Sequence, residues 1–61
     1  MAAEFEVYKD NRGEFRWRLQ ANNNEIVADS NESYTTKAGA LHGIEVVRTI
    51  AVDAPINDLT S

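Results

Sequence analysis

The chain contains no cysteine, and its 61 residues include a single histidine, His42. Without cysteine the domain has neither disulfides nor thiolate metal ligands, and one histidine is too few for a structural zinc site. A chain of this length buries only about 60% of the surface that it exposes when unfolded, so its core is marginal. Small scaffolds obtain the missing stability from disulfides, a metal or a partner chain, and we therefore expect a partner chain and no cofactor.

Long apolar runs are also missing. Glu4 and Glu6 interrupt the N-terminal segment before an apolar stretch can form, and no segment approaches the roughly 20 apolar residues of a membrane span. We therefore expect a cytoplasmic protein without a signal peptide and without a membrane partner.

Basic side chains are scarce. Six lysine and arginine residues stand against ten acidic ones, which gives a formal net charge of -4. Binding of a polyanion needs clustered lysine and arginine, so this balance argues against a general nucleic-acid-binding surface. Only Lys9 and Lys37 are lysines, and an acidic, lysine-poor surface suits a salt-rich cytoplasm.

The first 20 residues predict a β-hairpin. Apolar and polar side chains alternate over residues 4–9 as in a half-buried strand, and Gly13 can take the left-handed conformation that closes a three-residue loop. We expect Asp10 to lie opposite Glu14. The predicted cross-strand pairs are then Phe5–Leu19, Glu6–Arg18, Val7–Trp17, Tyr8–Arg16 and Lys9–Phe15.

A second hairpin is predicted at the asparagine run. Asn23 and Asn24 can supply the two left-handed residues of a tight turn, because asparagine tolerates that conformation better than other residues with a side chain. If Asn22 pairs with Glu25, the next pairs are Ala21–Ile26, Leu19–Ala28 and Arg18–Asp29. The three strands then share one apolar face with Trp17 at its centre, where the indole N–H needs a partner.

From Thr36, the predicted N-cap, the spacing becomes that of a helix. Its apolar side chains are Ala40, Ile44, Val47 and Ala51. Leu41, Val46 and Ile50 widen the apolar arc to about 200°, more than one three-stranded sheet covers. Pro55 ends the helix, and residues 56–59 are predicted to form a final strand, so residues 1–61 form a single α+β domain of order βββαβ.

Two glycines, Gly39 and Gly43, lie inside the predicted helix. Each costs about 1 kcal/mol relative to alanine, so a packing reason is expected. We expect them to allow close contact with the sheet or with a partner helix.

These segments give the chain a resemblance to the YegP-like family. It is carried by FEVYKD (5–10), GEFRWRL (13–19), ANNNEIV (21–27), SYTTKAGA (33–40), GIEVV (43–47) and INDLT (56–60). The turn that the family writes as Asn-Gly is Asn23-Asn24 here, which weakens it slightly, and Gly39 stands where alanine is usual.

The resemblance implies a unit of three antiparallel strands, a helix and a C-terminal strand. In the family two such units, in one chain or in two subunits, form one sheet and exchange their C-terminal strands. Since this chain has one copy, the resemblance implies a homodimer. It implies no catalytic residue, cofactor or substrate.

The candidate site is the outer face of the sheet. The predicted registers place Arg18 between Glu6 and Asp29, and they set Arg16 beside Tyr8, on whose ring it can stack. Such pairing is a structural explanation for the arginines. The alternative is weak contact with RNA or DNA through Tyr8, Arg12, Arg16 and Arg18, although a stacking platform needs more outer-face aromatic side chains than one tyrosine.

Catalytic chemistry is not indicated. The hydroxyl groups of residues 30–36 have no histidine nearby and only Lys37 as a base, so no nucleophile–base pair is predicted. Asp29 and Glu32 form an acid–base pair only if a dimer seam supplies a cleft. We therefore expect a non-enzymatic, homodimeric interaction or structural module with an unidentified protein partner; nucleic-acid binding is the alternative, and an enzyme site at the seam is a third hypothesis.

Overall fold

The computed structural model describes residues 2–60 as a three-stranded antiparallel sheet followed by a helix. Strands β1 (Glu4–Lys9), β2 (Phe15–Gln20) and β3 (Ile26–Asp29) lie in the order β1-β2-β3, and helix α1 spans Lys37–Ala51. This confirms the predicted α+β class and the order of three strands and a helix. Among residues 2–60, no helix has both the length and the apolar character needed to cross a bilayer.

The first hairpin has the predicted register at every pair of β1 and β2. Gly13 is left-handed, with φ 81°, and its N–H donates to the Asp10 carbonyl at 3.0 Å. The Asp10 N–H in turn donates to the Glu14 carbonyl at 2.8 Å, which closes the three-residue loop.

The second hairpin differs from the prediction by one residue. It has the same three-residue loop as the first: Asn24, with φ 69°, takes the left-handed position, and the Ala21 N–H donates to the Glu25 carbonyl at 2.7 Å. Ile26 therefore lies opposite Gln20, and the predicted pair Ala21–Ile26 is wrong. The physical reason is that this loop needs one left-handed residue, whereas a two-residue turn needs two.

A bulge in β3 restores the register. Between the pairs Gln20–Ile26 and Leu19–Ala28, β3 contains one additional residue, Val27. Beyond it, the predicted pairs Leu19–Ala28 and Arg18–Asp29 are confirmed.

After β3 the chain returns to β2 at Tyr34. Tyr34 and Phe15 exchange two backbone hydrogen bonds of 2.8 Å each, which form an isolated antiparallel bridge. This bridge fixes Tyr34 beside the central strand just before α1 begins. Thr36 is the N-cap, as predicted: its backbone is extended, and its Oγ1 accepts from the Gly39 N–H at 3.0 Å.

The core lies between α1 and the inner face of β1 and β2. Its buried members are Trp17, Ala40 and Ile44, which confirms Trp17 as its centre. The half-buried Phe5, Val7, Phe15, Tyr34 and Val47 pack around them. The rings of Phe5 and Trp17 meet edge to face with centroids 5.7 Å apart, and among residues 2–60 no acceptor bonds the indole N–H.

Gly43 allows α1 to lie directly against this core. A Cβ at residue 43 would lie 2.5 Å from the Tyr34 hydroxyl oxygen and 3.2 Å from Trp17 Nε1. At Gly39 the nearest atom to such a Cβ is Thr36 Oγ1, at 3.2 Å. Of the two predicted roles for the glycines, close packing on the sheet is the one that Gly43 fulfils.

The segment after α1 carries apolar side chains without cover. Residues 54–60 have no regular secondary structure in the single chain, and the side chains of Ile56 and Leu59 are 96% and 84% exposed. We call residues 54–60 the C-terminal tail. The predicted final strand at residues 56–59 is not formed within this chain, and its formation against a partner stays a prediction.

The single chain has more surface than a compact monomer of its size. Its solvent-accessible area is 4969 Å² for 6.8 kDa, whereas folded monomers of that mass average about 4,000 Å². Its radius of gyration is 13.2 Å, against about 10.5 Å for a compact domain of this length. The surplus is therefore about 1,000 Å² per chain.

The Gly43 contact gives a first test. We expect Gly43→Ala to lower the free energy of unfolding by about 1–3 kcal/mol, because the added methyl group overpacks Tyr34 and Trp17 and outweighs the gain in helix propensity. Chemical denaturation monitored by Trp17 fluorescence measures the change. Tyr34→Phe removes the closest atom, so Gly43→Ala should cost less stability in a Tyr34→Phe background than in the native chain. An equal loss in the two backgrounds would contradict the contact.

Candidate functional site: the charged face of the sheet

The structure brings three of the four predicted site residues together. Tyr8 on β1 and Arg16 and Arg18 on β2 lie on the face of the sheet opposite α1, and Arg12 is exposed in the first hairpin loop. We call this surface the outer face. The alternation of side chains along paired strands places these residues on one side, because the hairpin register is fixed by the loop.

Arg18 is held by β1. Its Nε donates to Glu6 Oε1 at 2.8 Å, which confirms the predicted pair, and its guanidinium carbon lies 4.8 Å from the centre of the Tyr8 ring. Asp29 faces Arg18 in the register, but among residues 2–60 no salt bridge joins the two. The predicted position of Arg18 between two carboxylates is therefore half right, because the side chain lies over Tyr8 towards β1.

Arg16 has an acidic partner that the sequence interpretation missed. Its Nε donates to Asp10 Oδ2 at 2.9 Å, and the guanidinium group over the Tyr8 ring is that of Arg18 and not the predicted one of Arg16. Asp10 Oδ1 accepts from the backbone N–H groups of Arg12 and Glu14, at 2.9 and 3.0 Å. One carboxylate thus organises the hairpin loop and fixes an arginine.

A signal for Asp10 was present in the sequence. Aspartate is favoured at the first position of a turn because its side chain bonds N–H groups further along the loop. In the predicted register Asp10 also shares a face with Tyr8 and lies diagonally across from Arg16, within reach of a long side chain.

These pairs determine the electrostatics of the outer face. The hydrogen bond from Arg18 lowers the pKa of Glu6, and the hydrogen bond from Arg16, helped by the Glu14 N–H, lowers the pKa of Asp10. Both carboxylates are therefore charged at neutral pH and offset the arginines. Among residues 2–60, Arg12 is the one predicted site arginine that forms no salt bridge.

The polar side of α1 offers little for a metal. His42 lies near Glu45, but Glu45 Oε2 already accepts from Arg48 at 2.9 Å. Between residues 2 and 60, no three histidine, cysteine or carboxylate side chains come together. His42 and Glu45 instead border a shallow hollow of about 280 Å³ whose other walls are Val46, Thr49 and Ile50.

The fold and its surfaces define a small α+β domain with a charge-paired outer face and uncovered apolar groups. Residues 10–58 match the family model described as a domain of unknown function, DUF1508. The chain belongs to this family, which confirms the resemblance to the YegP-like proteins.

Relatives match over nearly the whole chain. A UPF0339 protein of Treponema denticola is 52% identical over 56 residues, which cover 92% of this chain and 95% of the relative. A UPF0339 protein encoded in the 5' region of the ptx operon of Stutzerimonas stutzeri is 47% identical over 53 residues, 87% of this chain but 47% of the relative. The solution structure of a Haloferax volcanii protein has a TM-score of 0.86 and 44% identity, covering 93% of this chain and 95% of the other.

The carboxylate pKa values test the two ion pairs. We expect NMR titration to place the pKa of Asp10 below its ordinary value of 3.8, and Arg16→Gln to move it back towards that value. Arg18→Gln is the matched control: it should shift the pKa of Glu6 and leave that of Asp10 unchanged. Because the folded-state pKa is the lower one, the stability from the pair is present above about pH 3.8 and is lost as the pH falls through the folded-state value. An unchanged Asp10 pKa in Arg16→Gln would contradict the pair.

The nucleic-acid hypothesis for Tyr8, Arg12, Arg16 and Arg18 stays a prediction with its own test. Because Arg16 and Arg18 are already bound to carboxylates, we expect no retention of single-stranded RNA or DNA at low salt. Filter binding measures retention. Binding that is present in the native chain and lost in Arg16→Ser/Arg18→Ser would establish the outer face as a nucleic-acid surface.

Proposed function

We propose that the protein is a non-enzymatic, homodimeric interaction or structural module of the cytoplasm, whose subunits combine into one sheet by exchanging their C-terminal strands. The observation that carries this proposal is the uncovered apolar surface of the single chain. The immediate partner of each subunit is a second copy of the chain, and the surface of the assembled dimer is what binds a further protein.

The surplus area agrees in size with a dimer interface. A standard protein–protein interface buries about 800 Å² on each partner, and the single chain has about 1,000 Å² more surface than a compact monomer of its mass. Association with a second copy of this chain therefore buries an area similar to the surplus accessible surface of the single chain.

The apolar groups involved matter energetically. Val46 and Ile50 on α1 and Ile56 and Leu59 in the C-terminal tail are all exposed. Burial of one such side chain contributes about 1.5–3 kcal/mol, so four of them contribute about 6–12 kcal/mol. Because a domain is stable by only about 5–15 kcal/mol in total, this contribution decides whether the fold persists.

The length of one relative supports a two-unit assembly. The Stutzerimonas stutzeri protein matches this chain over 47% of its own length, which leaves room for a second unit of the same size. The resemblance to the YegP-like family carries the same expectation, with two units either in one chain or in two subunits.

A non-enzymatic role is supported by the way the polar groups are used. The Ser30 hydroxyl group donates to the Glu32 backbone carbonyl at 2.8 Å and is therefore not bonded to a base. The Ser33 hydroxyl group donates to the Glu14 carboxylate, a contact that ties the segment before α1 to the first hairpin. The alternative of an acid–base pair at the dimer seam requires Asp29 and Glu32 in a cleft formed by both subunits.

Dilution tests the dimer. We expect the thermal midpoint to fall as the chain is diluted, because a domain stabilised by its partner loses that partner by mass action. Sedimentation gives the assembly state and circular dichroism gives the midpoint. Ile56→Asn/Leu59→Asn should weaken the dimer, whereas Asn57→Ala, in the same segment, should not. A folded, stable monomer at micromolar concentration would contradict both the dimer and the exchange.

A further inference from the structure

Exposed apolar side chains of β3 are flanked by carboxylates that have no basic partner. We propose that residues 25–32, which we call the β3 surface, bind a protein segment with two arginine or lysine side chains and apolar side chains between them. This inference rests on the proposed function, because it names the kind of further protein that the interaction module binds. The argument depends on the exposure of β3, the register of its side chains and the charges beside them.

Every residue of β3 is exposed. Its burial is low along all four residues, Ile26–Asp29, and the side chains of Ile26 and Val27 are 50% and 58% exposed. The helix packs on β1 and β2 and does not contact β3, so it leaves this strand without cover. The apolar groups that the proposed dimer uses lie on α1 and in the C-terminal tail. The β3 surface is therefore separate from them.

The register brings apolar and acidic side chains of β3 to one side of the sheet. Ile26 lies opposite Gln20 and Asp29 lies opposite Arg18, and these two partners are two residues apart on β2. Because alternate residues of a strand point the same way, Ile26 and Asp29 share the face of the sheet opposite α1. Val27, the bulged residue, lies between them in the sequence and adds a second exposed apolar side chain.

The carboxylates of the β3 surface have no cationic partner within the chain. Glu25, Asp29 and Glu32 are exposed, and none of the three takes part in a salt bridge in the part of the chain that the structure describes. Arg18, the basic residue opposite Asp29, donates instead to Glu6 on β1. These carboxylates therefore attract a cationic group from outside the chain.

The chemistry of the β3 surface selects the class of partner. Its three carboxylates repel nucleic acid, and they also repel a second copy of the chain, whose net charge is -4. A cationic partner without apolar side chains would leave Ile26 and Val27 uncovered. A basic and apolar protein segment supplies both charge and cover, and its side-chain contacts do not depend on the bulged backbone of β3.

The spacing of the carboxylates sets the spacing of charges on the partner. Glu25 and Asp29 are four residues apart, and the apolar residues 26–28 lie between them. An extended segment lying along β3 rises about 3.3 Å per residue, so two basic side chains about four residues apart reach both carboxylates. The apolar side chains between these charges then lie over Ile26 and Val27.

A peptide titration of the full-length chain tests the inference. The probe is the capped, dye-labelled peptide GRLVLRG, followed by fluorescence anisotropy at low salt. We expect it to bind at least ~10-fold more tightly than GELVLEG, which reverses the charges, and than GRSGSRG, which lacks the apolar side chains. Equal affinity for the three peptides, or no binding of GRLVLRG, would overturn the inference.

Charge-matched variants test where the peptide binds. Glu25→Gln/Asp29→Asn removes two negative charges at the β3 surface, and the control Glu4→Gln/Asp53→Asn removes two exposed ones elsewhere. We expect the first variant to raise the peptide dissociation constant at least ~5-fold and the control to change it less than ~2-fold. Equal effects would show attraction by net charge alone and would overturn the site.

Two apolar substitutions separate the β3 surface from the dimer. Ile26→Thr/Val27→Thr keeps β-branched side chains in the strand, and we expect it to weaken peptide binding at least ~5-fold while sedimentation still shows a dimer. Circular dichroism checks folding. Loss of the dimer in this variant would assign β3 to the interface between copies and overturn the inference. A monomeric native chain would instead overturn the proposed function, so the two failures are distinguishable.

Discussion

The close approach of α1 to Trp17 and Tyr34 at Gly43 is the constraint on which the remaining structure depends. Because residue 43 has no side chain, the helix lies on the indole and on the tyrosine ring and buries Ala40 and Ile44. The bridge between Tyr34 and Phe15 fixes the point from which the helix starts. A helix held there covers β1 and β2 and leaves β3, with its exposed apolar side chains, outside the covered layer.

The sequence predicts this layout well where local chemistry determines the structure. Loop length and Gly13 determine the first register, Thr36 marks the start of the helix, and alternation identifies Trp17 as the core. The second hairpin was misjudged because a loop with one left-handed asparagine and a loop with two are both compatible with the asparagine run. The bulge at Val27 corrects the resulting shift, and periodicity cannot reveal a bulge of one residue.

The candidate site shows a second limit of sequence interpretation. The register correctly placed Arg16 and Arg18 on one face, but the choice of partners depends on where long side chains turn. Arg16 turns to a loop aspartate and Arg18 to Tyr8 and Glu6, so each guanidinium group satisfies a carboxylate. The two arginines that look basic in the sequence are therefore each offset by a carboxylate, while the uncovered apolar groups lie on the other elements.

The bulge in β3 has a consequence for the size of any assembly. A sheet with two equally receptive edges adds chains without end, and such growth leads to fibres. Here one margin is regular and the other is broken at Val27. In any pairing of two copies through the regular margin of each, both margins left outside would be broken ones. A single inserted residue thus discourages growth of the sheet at that margin.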